Sequence, residues 1–134
     1  MAFNDCYRLS AHAVILNSEG KILLVKATYG ELRWGLPGGC IDPGETVHEA
    51  LERECLEELG VKVDVLYMSG MYLHQTFDSH ACIFRCEMPE NANIVLSREH
   101  SEYGYFSIDE LSEVQRYRVQ ECLEFDGKVC SARF

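Results

Sequence analysis

The feature that most constrains this 134-residue sequence is one sharply delimited helix near its middle. Thr46, with Glu49 three residues later, predicts a capping box at the start of the helix, and Gly60 predicts its end. Between these limits, apolar residues recur at helical spacing: Val47, Ala50, Leu51, Cys55 and Leu59. A helix of this kind must bury its apolar stripe against other elements, so the flanking sequence decides the fold.

Segments typical of β-strands lie on both sides of this helix. Residues 11–16 and 21–26 flank a four-residue turn that contains Gly20, which predicts a β-hairpin. Further strands are predicted within residues 61–77, 81–87 and 103–107, and a Ser107 cap predicts a second helix that runs to about residue 125. This order predicts an α/β (α+β) fold in which a mixed β-sheet lies between helices.

Three glutamates occupy unfavourable positions on the central helix. Glu54, Glu57 and Glu58 lie in its C-terminal half, where the helix dipole disfavours negative charge. Glu54 and Glu58 are also a like-charge i,i+4 pair, and at about 100° per residue Glu58 projects towards the core. A divalent cation would offset this repulsion, and carboxylate oxygens suit Mg²⁺ or Mn²⁺. The alternative is a solvated surface helix that is simply acidic.

Composition narrows the class of protein. The length predicts a single domain over residues 1–134, and the net charge of −10 argues against bulk nucleic-acid binding. No apolar run approaches the length of a membrane span, and residues 1–10 do not resemble a signal peptide. The seven cysteines are therefore expected to be free thiols of a cytoplasmic protein, and Cys82 and Cys86 lack the partners of a zinc site.

Seven residues of the helix and the preceding loop follow the pattern G-x5-E-x7-R-E-U-x-E-E-x-G-U, in which U is apolar. They are Gly39, Glu45, Arg53, Glu54, Glu57, Glu58 and Gly60. This pattern resembles the Nudix box of the MutT-like Nudix hydrolase family, and all its fixed positions match within residues 39–61. Cys55 occupies a position where a bulkier aliphatic residue is usual. Trp34 and the glycines that follow it also resemble the family.

The resemblance implies a Nudix-type α/β/α sandwich and Mg²⁺- or Mn²⁺-dependent hydrolysis of a pyrophosphate bond. It implies that Glu54, Glu57, Glu58 and the Gly39 carbonyl bind the metal, with Gly60 structural. It also implies that Arg53 and Glu45 pair and hold the loop against the helix. Outside the box, Glu99 is the predicted additional ligand or general base, and Glu102 is the alternative. The predicted catalytic set therefore contains Arg53, Glu54, Glu57, Glu58 and Glu99.

The partner implied by the resemblance is a small-molecule nucleotide. Four residues are candidates for contacts with it: Arg8, Arg33, Trp34 and Arg98. Trp34 fits equally well a stacking surface for a base or a core position. His12, His74 and His80 are predicted to be ordinary strand histidines.

Two other functions remain open. One is hydrolysis at the 5′ end of RNA. The Tyr7-Arg8 pair weakly resembles the enzymes that catalyse this reaction, whereas the acidic charge disfavours it. The other is a non-catalytic nucleotide-binding module, which the complete set of box glutamates disfavours. Family resemblance is also compatible with a homodimer, but the sequence indicates no surface for it.

Overall fold

The computed structural model describes residues 3–134, so Met1 and Ala2 of the predicted domain lie outside the described residues. The strands are β1 Arg8–Val14, β2 Ile22–Ala27, β3 Trp34–Gly35, β4 Gly38–Cys40, β5 Asp64–His74, β6 Ser79–Glu87, β7 His100–Phe106 and β8 Cys130–Arg133. The helices are α1 Val47–Leu59 and α2 Glu113–Leu123, with short 3₁₀ helices at Gln75–Phe77 and Ile108–Glu110.

The described strands form two sheets. The larger is mixed, with the strand order β4-β1-β6-β5-β8, and the smaller is antiparallel, with the order β3-β2-β7. Within the larger sheet β1 runs parallel to β6 and β5 runs parallel to β8, while the other pairs are antiparallel. The predicted α+β architecture with a mixed sheet is therefore confirmed.

Strand alternation divides the core into two layers, one on each side of the sheets. Ala11 and Ala13 of β1 pack in the same cluster as Leu51 and Cys55 of α1. Val14 packs on the opposite side, in the cluster that contains Val119 and Cys122 of α2. Because successive strand residues point to opposite faces, one sheet buries both helices, as the sandwich prediction requires.

Helix α1 has the predicted ends. The Thr46 hydroxyl accepts a hydrogen bond from the Glu49 backbone N–H at 3.1 Å, and the Glu49 carboxylate accepts one from the Thr46 N–H at 2.9 Å. Gly60 ends the helix with φ 69°, a left-handed conformation that favours glycine. These local signals place the carboxylates of the last two turns.

The predicted hairpin is correct only at its turn. The Leu23 N–H donates to the Ile15 carbonyl at 2.9 Å, and the Asn17 N–H donates to the Lys21 carbonyl at 3.0 Å. Beyond this turn the two strands separate, since β1 pairs with β4 and β6 while β2 pairs with β3 and β7. The strands therefore enter different sheets.

The predicted second helix is divided. Ser107 caps the short 3₁₀ helix Ile108–Glu110, and Leu111 then adopts an extended conformation with φ −76° and ψ 154°. A second cap at Ser112, whose hydroxyl accepts from the Gln115 N–H at 3.3 Å, begins α2. Strand β8 was not predicted. No helix within residues 3–134 is long and apolar enough to cross a membrane.

Candidate active site

The turn that enters β4 brings the backbone of two glycines between β1 and α1. The Gly38 N–H donates a 2.9 Å hydrogen bond to Glu58 Oε2. A Cβ on Gly38 would lie 2.1 Å from the Ala11 carbonyl oxygen, and the residue has φ 143°. Only glycine lets the chain pass this close to β1 while it donates to Glu58.

Gly39 makes an equally close approach on the helix side. A Cβ at this position would lie 2.7–2.8 Å from the carboxyl atoms of Glu54. Its Cα therefore packs directly against the Glu54 carboxylate, which holds the β4 backbone beside the acidic end of α1.

Arg53 is the centre of the ion-pair network. Its Nε and Nη2 donate to the two carboxylate oxygens of Glu45 at 2.7 and 3.0 Å, which is a bidentate pair. Its Nη1 donates to Glu54 at 3.0 Å and to Glu57 at 3.3 Å, and Nη2 also reaches the Cys40 carbonyl at 3.1 Å. One guanidinium thus joins β4 and the loop after it to Glu54 and Glu57 of α1.

This network sets the charge of Glu45 and Arg53. The hydrogen bonds from Arg53 hold the pKa of the Glu45 carboxyl below its usual range. The same contact raises the pKa of Arg53, which stays protonated. The pair is therefore fully ionised at neutral pH and fixes the loop against α1.

Glu58 is the most desolvated carboxylate of the cluster, with only 4% of the residue exposed. Burial raises its pKa to about 8, helped by the neighbouring charges of Glu54 and Glu99 and opposed by the Gly38 N–H. The buried His100 ring lies beside it, with Nε2 3.9 Å from Oε1. Burial also raises the pKa of Glu54, against the opposing effect of Arg53. Both carboxyls therefore resist ionisation, because water solvates their charged forms poorly, and a bound cation would favour the ionised forms.

The cluster has the donors for a divalent cation but not yet the arrangement that would hold one. Within residues 3–134, no three His, Cys, Asp or Glu side chains already converge closely enough to hold a metal ion. Arg53 instead occupies one oxygen each of Glu54 and Glu57. The chemistry of the donor set does fit: every donor is a hard oxygen, residues 39–61 carry a net charge of −6, and Glu58 is buried with a raised pKa.

Glu99 lies in the turn immediately before β7. Its backbone carbonyl accepts from the Thr28 N–H at 2.8 Å, which ties that loop to the end of β2. Its charge contributes to the raised pKa of both Glu54 and Glu58. Glu102 lies within β7, opposite Lys26 of β2. Glu99 and not Glu102 is thus among the charges that act on Glu54 and Glu58, and the role of either residue at the cluster stays a prediction.

A large cavity of about 990 Å³ opens beside this site and is bounded on that side by Gly39 and Cys40. Three of the four predicted contact residues, Arg8, Arg33 and Trp34, line it. Arg98 is absent from the described lining, and its carbonyl accepts from the Thr28 hydroxyl at 2.9 Å.

His12 of β1 and His74 of β5 lie in strands as predicted, and both also line the cavity; His80 is not among the described lining residues. The cavity also contains Arg118, a buried residue of α2 that the sequence analysis did not single out. Arg118 lies four residues from both Val114 and Cys122, so it shares one helix face with these apolar residues. This spacing is the sequence pattern that could have identified it.

The cysteines are distributed between the surface and the core of the described residues. All seven thiols are free, and Cys55, Cys82, Cys86 and Cys122 are buried. Burial raises the pKa of the Cys82 and Cys86 thiols, which disfavours the thiolate form that zinc requires.

Known proteins resemble this chain in sequence. The family model of the NUDIX domain matches residues 7–123. A MutT-like protein from Streptomyces ambofaciens is 30% identical over 123 residues, which are 90% of this chain and 79% of that protein. A putative 8-oxo-dGTP diphosphatase from Bacillus subtilis is 40% identical over 78 residues, 58% of this chain and 52% of that protein.

Two further known proteins resemble this chain, one over part of its sequence and one in its fold. An RNA pyrophosphohydrolase from Actinobacillus succinogenes is 42% identical over 72 residues, 52% of this chain and 36% of that protein. The crystal structure of an ADP-ribose pyrophosphatase from Streptococcus suis superposes with a TM-score of 0.78 and 22% identity, over 96% of this chain and 100% of that chain. At that identity the superposition shows a shared fold. The matches to the Bacillus and Actinobacillus proteins span about half of those proteins or less.

Proposed function

The chain belongs to the Nudix hydrolase family, and on that premise we propose that it hydrolyses a pyrophosphate bond in a small nucleotide. The substrate is a nucleoside triphosphate or a nucleoside diphosphate linked to another group. The observation that carries the proposal is the placement of Glu58: it is buried, held by the Gly38 N–H, and grouped with Glu54 and Glu99 beside a basic cavity. Residues 1–134 act as one cytoplasmic domain in this proposal.

Glu54, Glu57, Glu58 and the Gly39 carbonyl would hold a divalent cation, Mg²⁺ or Mn²⁺. When bound, the cation neutralises the pyrophosphate oxygens and acidifies water. The positive charge of the cation is needed because the net charge of −6 on residues 39–61 would otherwise repel an anionic substrate. Nudix hydrolases in general use a divalent metal, and the oxygen donors of this cluster agree with that.

Three residues of the chain have distinct roles in the proposed mechanism. Glu99 takes the proton from the attacking water; its place on a separate loop and its electrostatic effect on Glu58 support this role. The Gly38 N–H fixes one oxygen of Glu58 and leaves the other free. Arg53, paired bidentately with Glu45, is a positioning residue that keeps the β4 loop and α1 in register.

The cavity beyond Gly39 and Cys40 is the proposed binding site for the nucleoside. Trp34 and Phe106 lie on its wall with ring centroids 5.1 Å apart, in an edge-to-face arrangement that presents aromatic surface. Arg8 and Arg118 add positive charge to the wall, and Arg33, which also lines it, is paired with Glu31. An anionic ligand with a planar ring therefore finds complementary charge and shape here.

The second candidate is removal of pyrophosphate from the 5′ end of RNA. The observation in its favour is the 42% identity to an RNA pyrophosphohydrolase over 72 residues. The net charge of −10 opposes extended contacts with an RNA backbone. A 5′-triphosphate oligonucleotide therefore belongs in any substrate panel.

The test is product release on such a panel with Mg²⁺, measured as phosphate and pyrophosphate. The panel contains canonical and oxidised nucleoside triphosphates, ADP-ribose, nucleotide sugars, dinucleoside polyphosphates and the RNA substrate. Glu99→Gln should lose most of the turnover, and Glu102→Gln should keep it. Loss in Glu102→Gln alone would move the general base to β7, and no turnover on any compound would refute the proposed activity.

A further inference from the structure

Arg118 is a buried cation without a counterion. Only 9% of the residue is exposed, and its Nε has no hydrogen-bond partner among the described residues. Its Nη1 donates to His74 Nε2 at 3.0 Å. Within residues 3–134 no carboxylate lies within 4.0 Å of its guanidinium. Nε is enclosed by protein atoms and closed to a ligand, whereas Nη2 makes no hydrogen bond within residues 3–134. Because Arg118 lines the cavity, a ligand there can complete the hydrogen bonds of the terminal nitrogens and lower the cost of burying this charge.

The surrounding titratable groups do not supply that missing partner. Burial and the charge of Arg118 lower the pKa of His12 to about 4, and the same causes lower the pKa of His74, so both rings are neutral at pH 7. His12 Nε2 is already 2.9 Å from the Ser10 hydroxyl. Glu110, the acid that lines the same cavity, accepts from the Ser107 N–H and hydroxyl at 3.0 Å, and Glu121 accepts a 2.8 Å hydrogen bond from the Tyr72 hydroxyl. Arg118 is thus the charged centre of this end of the cavity.

The chemistry of the side chain and of the walls specifies the ligand. A guanidinium only donates hydrogen bonds, in a flat fork that matches two acceptors lying in one plane. Aromatic rings of Trp34, Phe106 and Phe134 line the same cavity, and such walls suit a group that is planar and apolar on its faces. The O6 and N7 atoms of a 6-oxopurine form such an acceptor pair, whereas adenine presents an amino group at position 6.

We propose that Arg118 is a specificity-determining residue that selects nucleotides with a 6-oxopurine base, guanine or hypoxanthine, over adenine nucleotides. This inference rests on the proposed function, because it assigns the base to the cavity and the pyrophosphate to the adjacent glutamate cluster. A phosphate group as the partner of Arg118 is the competing outcome, and the experiment separates the two.

The experiment measures binding of nucleoside monophosphates to the full chain in Mg²⁺ by calorimetry. Monophosphates have no pyrophosphate bond, so binding is read independently of hydrolysis. The wild-type protein should bind dGMP and dIMP roughly ten- to a hundredfold more tightly than dAMP. Arg118→Met should reduce dGMP affinity to that of dAMP, and Arg118→Lys should lose most of the discrimination because it lacks the fork.

A ligand change probes the same contact from the other side. In the wild-type protein 7-deaza-dGMP, which lacks the N7 acceptor, should bind more weakly than dGMP, and in Arg118→Met the two should bind equally. Arg116→Met, at an exposed position of the same helix, is the matched control and should keep the preference. Thermal melting verifies that each variant folds.

Three results would overturn the inference: equal binding of dGMP and dAMP by the wild type, no binding of either, or a loss in Arg118→Met that is the same for both. The last result would assign Arg118 to a phosphate. Hydrolysis of the substrate panel without base preference would leave the proposed function intact and remove this inference alone.

Discussion

The close contact between Gly39 and Glu54 gives a prediction whose size follows from the structure. In Gly39→Ala the new Cβ would lie 2.7–2.8 Å from the Glu54 carboxyl atoms, about 0.6–0.7 Å short of the 3.4 Å of an ordinary contact. The flexible end of Glu54 can move by this amount, so the free energy of unfolding should change by less than about 1 kcal/mol. A displacement approaching 1 Å at a catalytic group can cost about 100-fold in turnover, which is the loss we expect.

Two neighbouring glycines provide controls for the same assay, steady-state turnover combined with urea unfolding. Gly35→Ala, where no atom lies within 4 Å of the added Cβ, should keep both turnover and stability. In Gly38→Ala the Cβ would meet the Ala11 backbone oxygen at 2.1 Å, so stability should fall by about 2 kcal/mol or more. Wild-type turnover in a folded Gly39→Ala protein would refute the assignment of Glu54 to the catalytic cluster.

Three further outcomes are expected. Glu45→Gln should lower turnover and the melting temperature at pH 7. Because Arg53 depresses the pKa of Glu45, the difference in stability between this variant and the wild type should vanish as the pH falls well below 4.5. His12 has a folded pKa of about 4 against 6.5 unfolded, so urea unfolding should show a loss of roughly 2 kcal/mol between pH 6.5 and pH 5 that His12→Gln lacks. Mg²⁺ at ten times its Kd should raise the free energy of unfolding by about 1.4 kcal/mol, and melting curves that ignore Mg²⁺ would argue against a site in the folded protein.

Local signals explain which parts of the fold could be predicted. The caps of α1 lie within the helix itself, so Thr46, Glu49 and Gly60 were sufficient to give its bounds. The C-terminal helix was predicted too long because Ser107 and Ser112 are both competent caps, and the sequence period continues across the extended Leu111 between them.

Long-range pairing explains what the sequence left undetermined. Strand β8 is short and is held by parallel pairing with β5, from Gly70↔Cys130 to Leu73↔Arg133, which no local pattern encodes. The division of β1 and β2 between two sheets depends on partners far along the chain, β6 and β7. Elements fixed by partners of this kind are the ones that local pattern reasoning misses.

The same division holds at the candidate site. The glutamates of α1 stood out because they violate the usual placement of charge on a helix. Arg118, His12 and His74 did not stand out in the sequence, because they come together only in the folded chain, where α2 lies beside the strands that carry the two histidines. Residues that contradict a local pattern are therefore visible in the sequence, whereas a site assembled from separate elements requires the structure.

The most direct test of the central claim is the turnover of Glu58→Gln with Mg²⁺, on whichever panel substrate the wild type hydrolyses. Glu52→Gln, an exposed glutamate of the same helix, is the matched control. The account predicts a loss of about 100-fold or more in Glu58→Gln, with a folded protein by thermal melting and wild-type turnover in the control. Turnover near the wild-type level in a folded Glu58→Gln protein would contradict it.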